Sequence, residues 1–401
     1  MKKNILMSLA MISLLPISSM ASIDVSNVEL DGKVGIMGDT INDSNRNLDY
    51  FDTDSSRLGA FVGLGVKADL NDNIKVGIGL TGIDSLGFDH NIQGTRKSNA
   101  VISESYIKYK TTDTIFTAGR TKLDTPLVFS DTYRPIENSY DLVSVTNKSL
   151  TNTFLYGGII FRGNSSDDLS FRSFRNADDD TSPIGVLGAM FNGIKLFPIQ
   201  AWVYAQDNGI LATYISTNSK FTVDLNLGIQ YSFATNTGYD NDDSMSMLGA
   251  NFGYDINPVW NVNIAFNTTT DGSDMNSPVN ISNQRVSKLY TYIRSAGEFM
   301  GRDEASISDT TSFAVKATGH LPSKFGNVNV SFGSYDHSSG TSYNSNSNTT
   351  FVGEFAWNKE VEKNLTVGAN FGVVSYETAE TVTANDRNTG EYLSFNVAYK
   401  F

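Results

Sequence analysis

The sequence predicts an all-β fold, a transmembrane antiparallel β-barrel of about 18 strands, with 16 left open as the other even count. Three observations predict it. Apolar residues alternate with a period of two along most of the 401 residues. Short turns interleave with generally longer, polar connections. The last strand carries a strictly alternating apolar face that ends in an aromatic residue. Successive side chains of a strand point to opposite faces, so a strand with one apolar face and one polar or small face separates two media. No run of about 18 apolar residues occurs, so no helix is long and apolar enough to span a bilayer.

Composition narrows the function classes. Asp plus Glu number 43 against 30 Lys plus Arg, a net charge of −13, which argues against a nucleic-acid binder and its basic face. The absence of cysteine removes thiol catalysis, disulfide frameworks, zinc fingers and iron–sulfur sites together. Length alone would suggest two or three domains, but a single all-β barrel can be this long.

The chain opens with an address. Lys2 and Lys3 precede a largely apolar run from Ile5 to Ile17, and Ser19-Met20-Ala21 supplies small residues at a cleavage site. This order is that of a secretory signal peptide over 1–21, too short for a spanning anchor. The mature barrel is then 22–401, and loss of the two lysines lowers its net charge to −15.

The alternation begins near Val28. Leu58, Ala60, Val62, Leu64, Val66, Ala68 and Leu70 form one face of a strand, and Arg57, Gly59, Phe61, Gly63, Gly65, Lys67 and Asp69 the other. Asn71-Asp72-Asn73 turns the chain, and Ile74, Val76, Ile78 and Leu80 resume the pattern, which is a hairpin. The same reading predicts strands near 28–37, 57–70, 74–84, 99–110, 114–120, 152–162, 168–175, 184–191 and 196–205. It continues with 210–217, 220–234, 244–255, 259–269, 310–321, 326–337, 349–360, 365–378 and 391–401. Short connections at Thr111–Asp113, Asn192-Gly193, Asn218-Ser219 and Asn257-Pro258 fall on one side of such a barrel. That asymmetry belongs to outer-membrane barrels. A soluble sandwich would use fewer and shorter strands, and a solenoid would show a fixed repeat, which is absent. In lipid every backbone amide must be paired, so a sheet there closes on itself. A barrel of this size is too wide for side chains alone to fill.

The chain ends Leu393-Ser394-Phe395-Asn396-Val397-Ala398-Tyr399-Lys400-Phe401. An apolar-alternating last strand with a terminal aromatic looks like the assembly signal of bacterial outer-membrane barrels. The predicted location is therefore the bacterial outer membrane, crossed many times, with its lipid and lipopolysaccharide as partners.

One stretch carries a closer likeness. Ser103-Glu104-Ser105-Tyr106-Ile107-Lys108-Tyr109-Lys110, a short turn, and Ile115-Phe116-Thr117-Ala118-Gly119-Arg120 lead into Lys122-Leu123-Asp124-Thr125-Pro126-Leu127 and Arg134-Pro135-Ile136-Glu137-Asn138-Ser139-Tyr140. Over these 45 or so residues the chain resembles the OprD-like porins and the related major outer-membrane porins of epsilon-proteobacteria, with Thr121 where the family commonly has Gln after Gly-Arg. The resemblance implies a third extracellular loop, here 121–150, folded inward to narrow the passage, and a homotrimer. Arg120 would be a basic wall residue at the narrowing, and Asp124, Asp131, Glu137 and Asp141 acidic residues of the loop, with Arg134 beside them. Facing rows of opposite charge set a transverse field that orients solutes and controls ion preference. Strict alternation would place Phe116 and Ala118 on the same side as Arg120, so an irregularity at Gly119 is needed to turn Arg120 inward.

Other charges fall on inward faces: Arg57, Lys67, Glu104, Lys108, Lys110 and Arg172. An Arg or Lys facing lipid at mid-depth costs about 2–4 kcal/mol, so the lumen is favoured, above all for Lys67 and Arg172. The connection 270–309 is unusually long. Within it Val286, Leu289, Tyr290 and Ile293 follow helical spacing, accompanied by Arg285, Lys288, Arg294 and Arg302, which predicts a short helix over or in the mouth. Reading 284–296 as a strand would give an odd count.

No enzyme is expected. His90, His320 and His337 are the three histidines, and they fall at opposite ends of the strands, too far apart for a shared site. Asp178-Asp179-Asp180 and Asp240-Asn241-Asp242-Asp243 carry carboxylates that suit loop-bound calcium but lack the full spacing of a calcium loop, so no cofactor is assigned. The function expected is passive diffusion of small hydrophilic solutes and ions, with a weak cation preference from the net charge. A substrate-selective channel and a structural or adhesive barrel are the alternatives.

Overall fold

The computed structural model describes residues 26–86, 98–131, 136–164, 169–176, 178–237, 244–270, 281, 287–300, 304–337, 348–377 and 387–401. The expected signal peptide, His90, Arg134 and the acidic run 240–243 lie outside the described residues, as do Arg285, Val286 and Arg302.

Nineteen strands form one antiparallel sheet. They are β1 (Ser26–Asp43), β2 (Ser56–Asp69), β3 (Ile74–Asp84), β4 (Asn99–Lys110), β5 (Thr114–Thr121), β6 (Tyr140–Asn147), β7 (Thr153–Asn164), β8 (Phe171–Ser173) and β9 (Ile184–Phe191). The second half holds β10 (Ile199–Gln206), β11 (Ile210–Lys220), β12 (Leu225–Asn236), β13 (Ser244–Asp255), β14 (Trp260–Thr269), β15 (Thr310–His320), β16 (Asn327–His337), β17 (Asn348–Glu362), β18 (Leu365–Glu377) and β19 (Arg387–Lys400). Consecutive strands pair, except that β8 pairs with β7 alone, and β19 pairs with β1 from Lys33↔Lys400 to Asp43↔Gly390, which closes the barrel. Phe401 and Gly32 exchange two backbone hydrogen bonds, 2.9 and 3.0 Å, at the seam.

Eighteen of these strands make the wall, since β8 pairs only with the end of β7 while β7 pairs directly with β9. The predicted count of 18 therefore holds, but through two compensating differences. The first is β6, which occupies part of the stretch 121–150 expected to be loop. Its inward face, Tyr140 and Leu142, is as apolar as its outward face, Val143 and Val145, so the contrast that marks a strand is missing. The inward connection is thus 122–139, and Asp141 stands on a wall strand. The second is 168–175, which does not cross the barrel. Its alternation of Phe with Arg belongs to three strand residues folded back on β7 (Gly163↔Arg172), with Leu169 buried beside them. Consequently β7 runs opposite to the direction the sequence count assigns it, and Arg172 lies beyond the wall, where the mid-depth lipid argument does not reach it. The turn expected at Asn218-Ser219 lies slightly later, because β11 extends through Lys220.

Short turns gather at one end of the barrel (the turn end), the longer connections at the other (the loop end), with 207–209 a short exception among the latter. The outer face is a belt of exposed apolar residues, among them Val62, Leu64, Ile107, Phe116, Phe266, Phe332, Phe355 and Tyr399. Phe395, Val397, Tyr399 and Phe401 are exposed, while Ser394 and Ala398 are buried, so the last strand alternates as expected.

The core sits inside the barrel. Leu127, Val128 and Phe129 from 122–139 are buried against Tyr140, Ile160, Ile184, Val186, Trp202 and Tyr204 of β6, β7, β9 and β10. Tyr140 donates to the Phe129 carbonyl at 2.7 Å, and Tyr204 accepts from the Leu127 amide at 3.3 Å. The connection 270–309 enters the lumen as well. Its helix, α1 (Arg294–Met300), begins just after Leu289, Tyr290 and Ile293, the residues whose spacing predicted it. Those residues form a turn closed by the Tyr292 amide on the Leu289 carbonyl at 3.2 Å, and Leu289, Tyr292, Ile293, Ala296 and Phe299 are buried in the same cluster. Each large apolar side chain so buried contributes roughly 1.5–3 kcal/mol.

Gly119 has φ +118°, and a Cβ there would run into the Ser105 carbonyl. Gly157, by contrast, has room, its nearest neighbour being Leu187 Cδ2 at 3.5 Å. Gly119→Ala is expected to destabilise the barrel by about 1–3 kcal/mol, and Gly157→Ala to leave it unchanged. Denaturant unfolding of the two variants in detergent, followed by heat-dependent gel mobility, measures the difference.

Candidate functional site: a charged cavity beside two inward segments

The inward segments occupy the lumen unevenly. The segment 287–300 is tied to the β15–β19 wall. Lys316 on β15 donates to the carbonyls of Tyr290 and Tyr292 at 2.8 and 2.6 Å. Glu354 on β17 accepts from the Ser295 amide and hydroxyl at 2.7 and 2.6 Å, and Tyr335 on β16 donates to the Thr291 carbonyl at 2.9 Å. On the adjoining strands, Arg57 on β2 is held by Asp39 of β1 (Nε to Oδ1, 2.7 Å) and lies 3.4 Å from Glu298 of α1. Arg46 stacks on the Phe299 ring at 4.3 Å. Lys288 joins the two inward segments: it pairs with Asp124, donates to the Thr125 carbonyl at 3.1 Å and faces the Phe129 ring at 4.9 Å.

Among the described residues a cavity of about 310 Å³ lies against β1–β4 and β19. Three ion pairs line it. Lys67 of β2 reaches Asp31 of β1 at 3.0 Å. Lys122, one residue beyond β5, sits 2.9 Å from Glu137 and 3.7 Å from Glu104 of β4. Glu104 turns inward because the β3–β4 register shifts between Gly79 and Leu80, placing Ser103 and Glu104 on the cavity side together. Lys33 and Lys400 add two cations, Phe61 and Ile136 an apolar patch. Ser139, 1 % exposed, presents to the cavity an Oγ with no hydrogen-bond partner among the described residues.

Of the residues read from sequence, Lys67, Glu104 and Glu137 meet in this cavity. Arg120 is elsewhere. Gly119 has a positive φ, but the register of β5 with β4 and β6 runs unbroken through it, so Arg120 lies opposite Ser105 and Asp141 and joins a cluster at the loop end of β5–β7. There it binds Asp141 through two hydrogen bonds, 2.6 and 3.1 Å, donates to the Ile102 carbonyl at 2.7 Å and lies 3.4 Å from the centre of the Phe171 ring. Arg162 pairs with the same carboxylate. Asp131 is buried in the fold of 122–139, where its amide donates to Asn138 Oδ1. Asp124 is drawn toward Lys288, and Arg172 is exposed on β8. Lys122, Asp31, Lys33, Glu298 and Lys316 are among the charged groups sequence reasoning missed as partners, with Asp39, Arg162, Glu354 and Lys400. For Lys122 a signal existed, a basic residue where the strand gives way to the inward segment; for the others, partners lie on remote strands.

His320 and His337 stand at opposite ends of their strands. His337 is buried against Thr310 (2.7 Å), and His320 contacts Asn327 (3.2 Å). Asp178 is bonded to Asn208, and Asp179 pairs with Arg175 at 3.2 Å. Among the described residues no group of three or more His, Asp or Glu is arranged to hold a metal.

No protein-family model and no curated protein matches the chain. Solved structures do. OccK3 (OpdO) of Pseudomonas aeruginosa superposes with a TM-score of 0.74 over 94% of this chain and 96% of its own, at 11% identity. OccAB4 of Acinetobacter baumannii gives 0.74 over 95% and 100%, at 12% identity. OccK2 (OpdF) of Pseudomonas aeruginosa, solved in complex with glucuronate, gives 0.70 over 94% and 98%, at 11% identity. The fold is therefore that of the Occ/OprD outer-membrane porins.

Arg57 faces two carboxylates in a largely desolvated setting. Arg57→Met is expected to cost about 3 kcal/mol, because it leaves Asp39 and Glu298 without their cation. Denaturant unfolding, compared with the double variant Arg57→Met/Glu298→Gln, should show part of the loss recovered.

Proposed function

We propose that this chain is a porin of the bacterial outer membrane that lets small hydrophilic solutes and ions diffuse passively through a water-filled passage. One observation carries the reading: the lumen, although narrowed by two inward segments, keeps a charged cavity against β1–β4 and β19, while the β6–β10 wall is covered by buried apolar side chains. A barrel built only to span or to adhere has no need of such lining. Diffusion needs neither cofactor nor energy coupling, and no catalytic step is invoked.

The cavity sets Lys33, Lys67, Lys122 and Lys400 against Asp31, Glu104 and Glu137. Charges of both signs across a narrow, low-dielectric passage create a transverse field, which favours polar solutes and leaves ion preference weak. The chain's overall charge of −13 tilts that preference toward cations. The displacement of the passage to the β1–β4 side favours a second reading within the same class, a substrate-selective channel. A neighbour of the same fold, OccK2, was solved in complex with glucuronate, a carboxylated sugar, which supports a small polar solute class for this reading. Assembly as a homotrimer belongs to the proposal through the family likeness.

Planar-bilayer recording under asymmetric salt tests the reading. Stable conductance with a small reversal potential on the cation side is expected, and Lys122→Glu should move that potential further toward cations. A correctly folded barrel with no conductance would exclude the channel in favour of a structural role.

A further inference from the structure

Turns at the end of a barrel normally face water and are polar. Those between β2 and β3 (71–73) and between β4 and β5 (111–113) obey this, with Asn71-Asp72-Asn73 and Thr111-Thr112-Asp113. Three successive turns on the other side of the barrel depart from it most, while the β6–β7 and β15–β16 turns each expose one large apolar residue, Leu150 and Phe325. Ile194, Leu196 and Phe197 are exposed between β9 and β10, Phe221 and Val223 between β11 and β12, and Ile256 between β13 and β14. Val223 is 79 % exposed, and Phe197 meets Phe221 edge to face at 5.8 Å, so neighbouring turns form one apolar surface.

The geometry points to the hydrocarbon of the adjoining lipid leaflet as the occupant of this surface. We infer that the turns joining β9 to β14 are immersed in phospholipid, whereas those joining β2 to β5 stay in water. The inference rests on the membrane-spanning reading of the barrel. Strand length supplies its physical reason. β9 and β10, eight residues each, make the shortest hairpin at this end. At about 3.3 Å per residue and a tilt of about 40°, such a strand rises only ~20 Å, less than the apolar band of about 25 Å that a barrel presents. Their loop-end connection is also short, at 207–209, so the wall is low on both sides. Ile194, Leu196 and Phe197 continue the outward row Phe191 and Ile199 beyond the strand ends and restore the missing height. Lys195 and Lys220 flank the patch, and a lysine buries its methylene stem while its ammonium reaches headgroup phosphates. That mixture of apolar side chains with snorkelling cations matches a lipid interface better than a protein partner.

The absence of cysteine makes the test clean. Single variants Val223→Cys, Ile194→Cys, Asp72→Cys and Phe266→Cys are spin-labelled, reconstituted in phosphatidylethanolamine–phosphatidylglycerol vesicles, and probed with dioxygen and a neutral nickel chelate. Dioxygen concentrates in hydrocarbon and the chelate in water. Labels at 223 and 194 are expected to show an oxygen-to-nickel accessibility ratio several-fold above that at 72 and close to that at 266. A ratio at 223 and 194 equal to that at 72, with 266 lipid-exposed, overturns the inference and leaves the barrel reading intact. Low accessibility to both probes at 223 and 194 indicates burial by protein and also overturns it. A water-exposed label at 266 instead defeats the membrane-spanning reading itself.

Discussion

Backbone amides have no alternative partner in hydrocarbon, and this constraint organises the molecule. A sheet surrounded by lipid can leave no edge, so the first and last wall strands must meet. The eleven-residue register of β1 against β19, sealed by the paired hydrogen bonds of Gly32 and Phe401, meets that demand. Once the ring is closed, each outward side chain faces the same solvent, and apolar residues follow on that face. The inward face is released from the requirement and carries the chain's particular chemistry.

That chemistry is a division of the lumen. A ring of 18 strands is too wide for its own side chains to fill. Segments 122–139 and 287–300 turn inward and bring an apolar core with them, so Trp202, Tyr204 and Tyr335 on the covered wall are buried as they would be in a soluble protein. Leu169 adds to a smaller cluster with Phe61 and Ile136. The uncovered wall, β1–β4, keeps its lysines and carboxylates. Packing on one side thus determines where water and charge persist on the other, and Lys122, at the root of an inward segment, is where the two regimes meet.

Much of the wall was legible in the chain because its outward face answers to one uniform solvent. Lys67 and Glu104 were readable as inward for the same reason: lipid penalises their charge. Legibility failed where the inward face is not wet. β6 hides its alternation because Tyr140 and Leu142 face a dry core, while the Phe-Arg alternation at 171–172 imitates a wall strand although it is only a flap on β7. Arg120 shows the same limit at a single residue. Its Gly-Arg context marks a special position, yet its partners Asp141, Arg162 and Phe171 come from three separate segments. The helix in 270–309 was foreseeable from apolar spacing, but the residues giving that spacing lie just before it, where the carbonyls of Tyr290, Thr291 and Tyr292 are taken by Lys316 and Tyr335 of the wall.

The sequence by itself determined the barrel, the approximate number of crossings and the orientation of most strand side chains, since period-two patterning against a single apolar solvent is a local signal. Only the tertiary structure decided how far the two long connections enter, which wall they cover, and which lysine meets which carboxylate. Those outcomes depend on contacts between residues up to hundreds of positions apart, such as Arg57 with Glu298 and Lys288 with Asp124, and no local period encodes them.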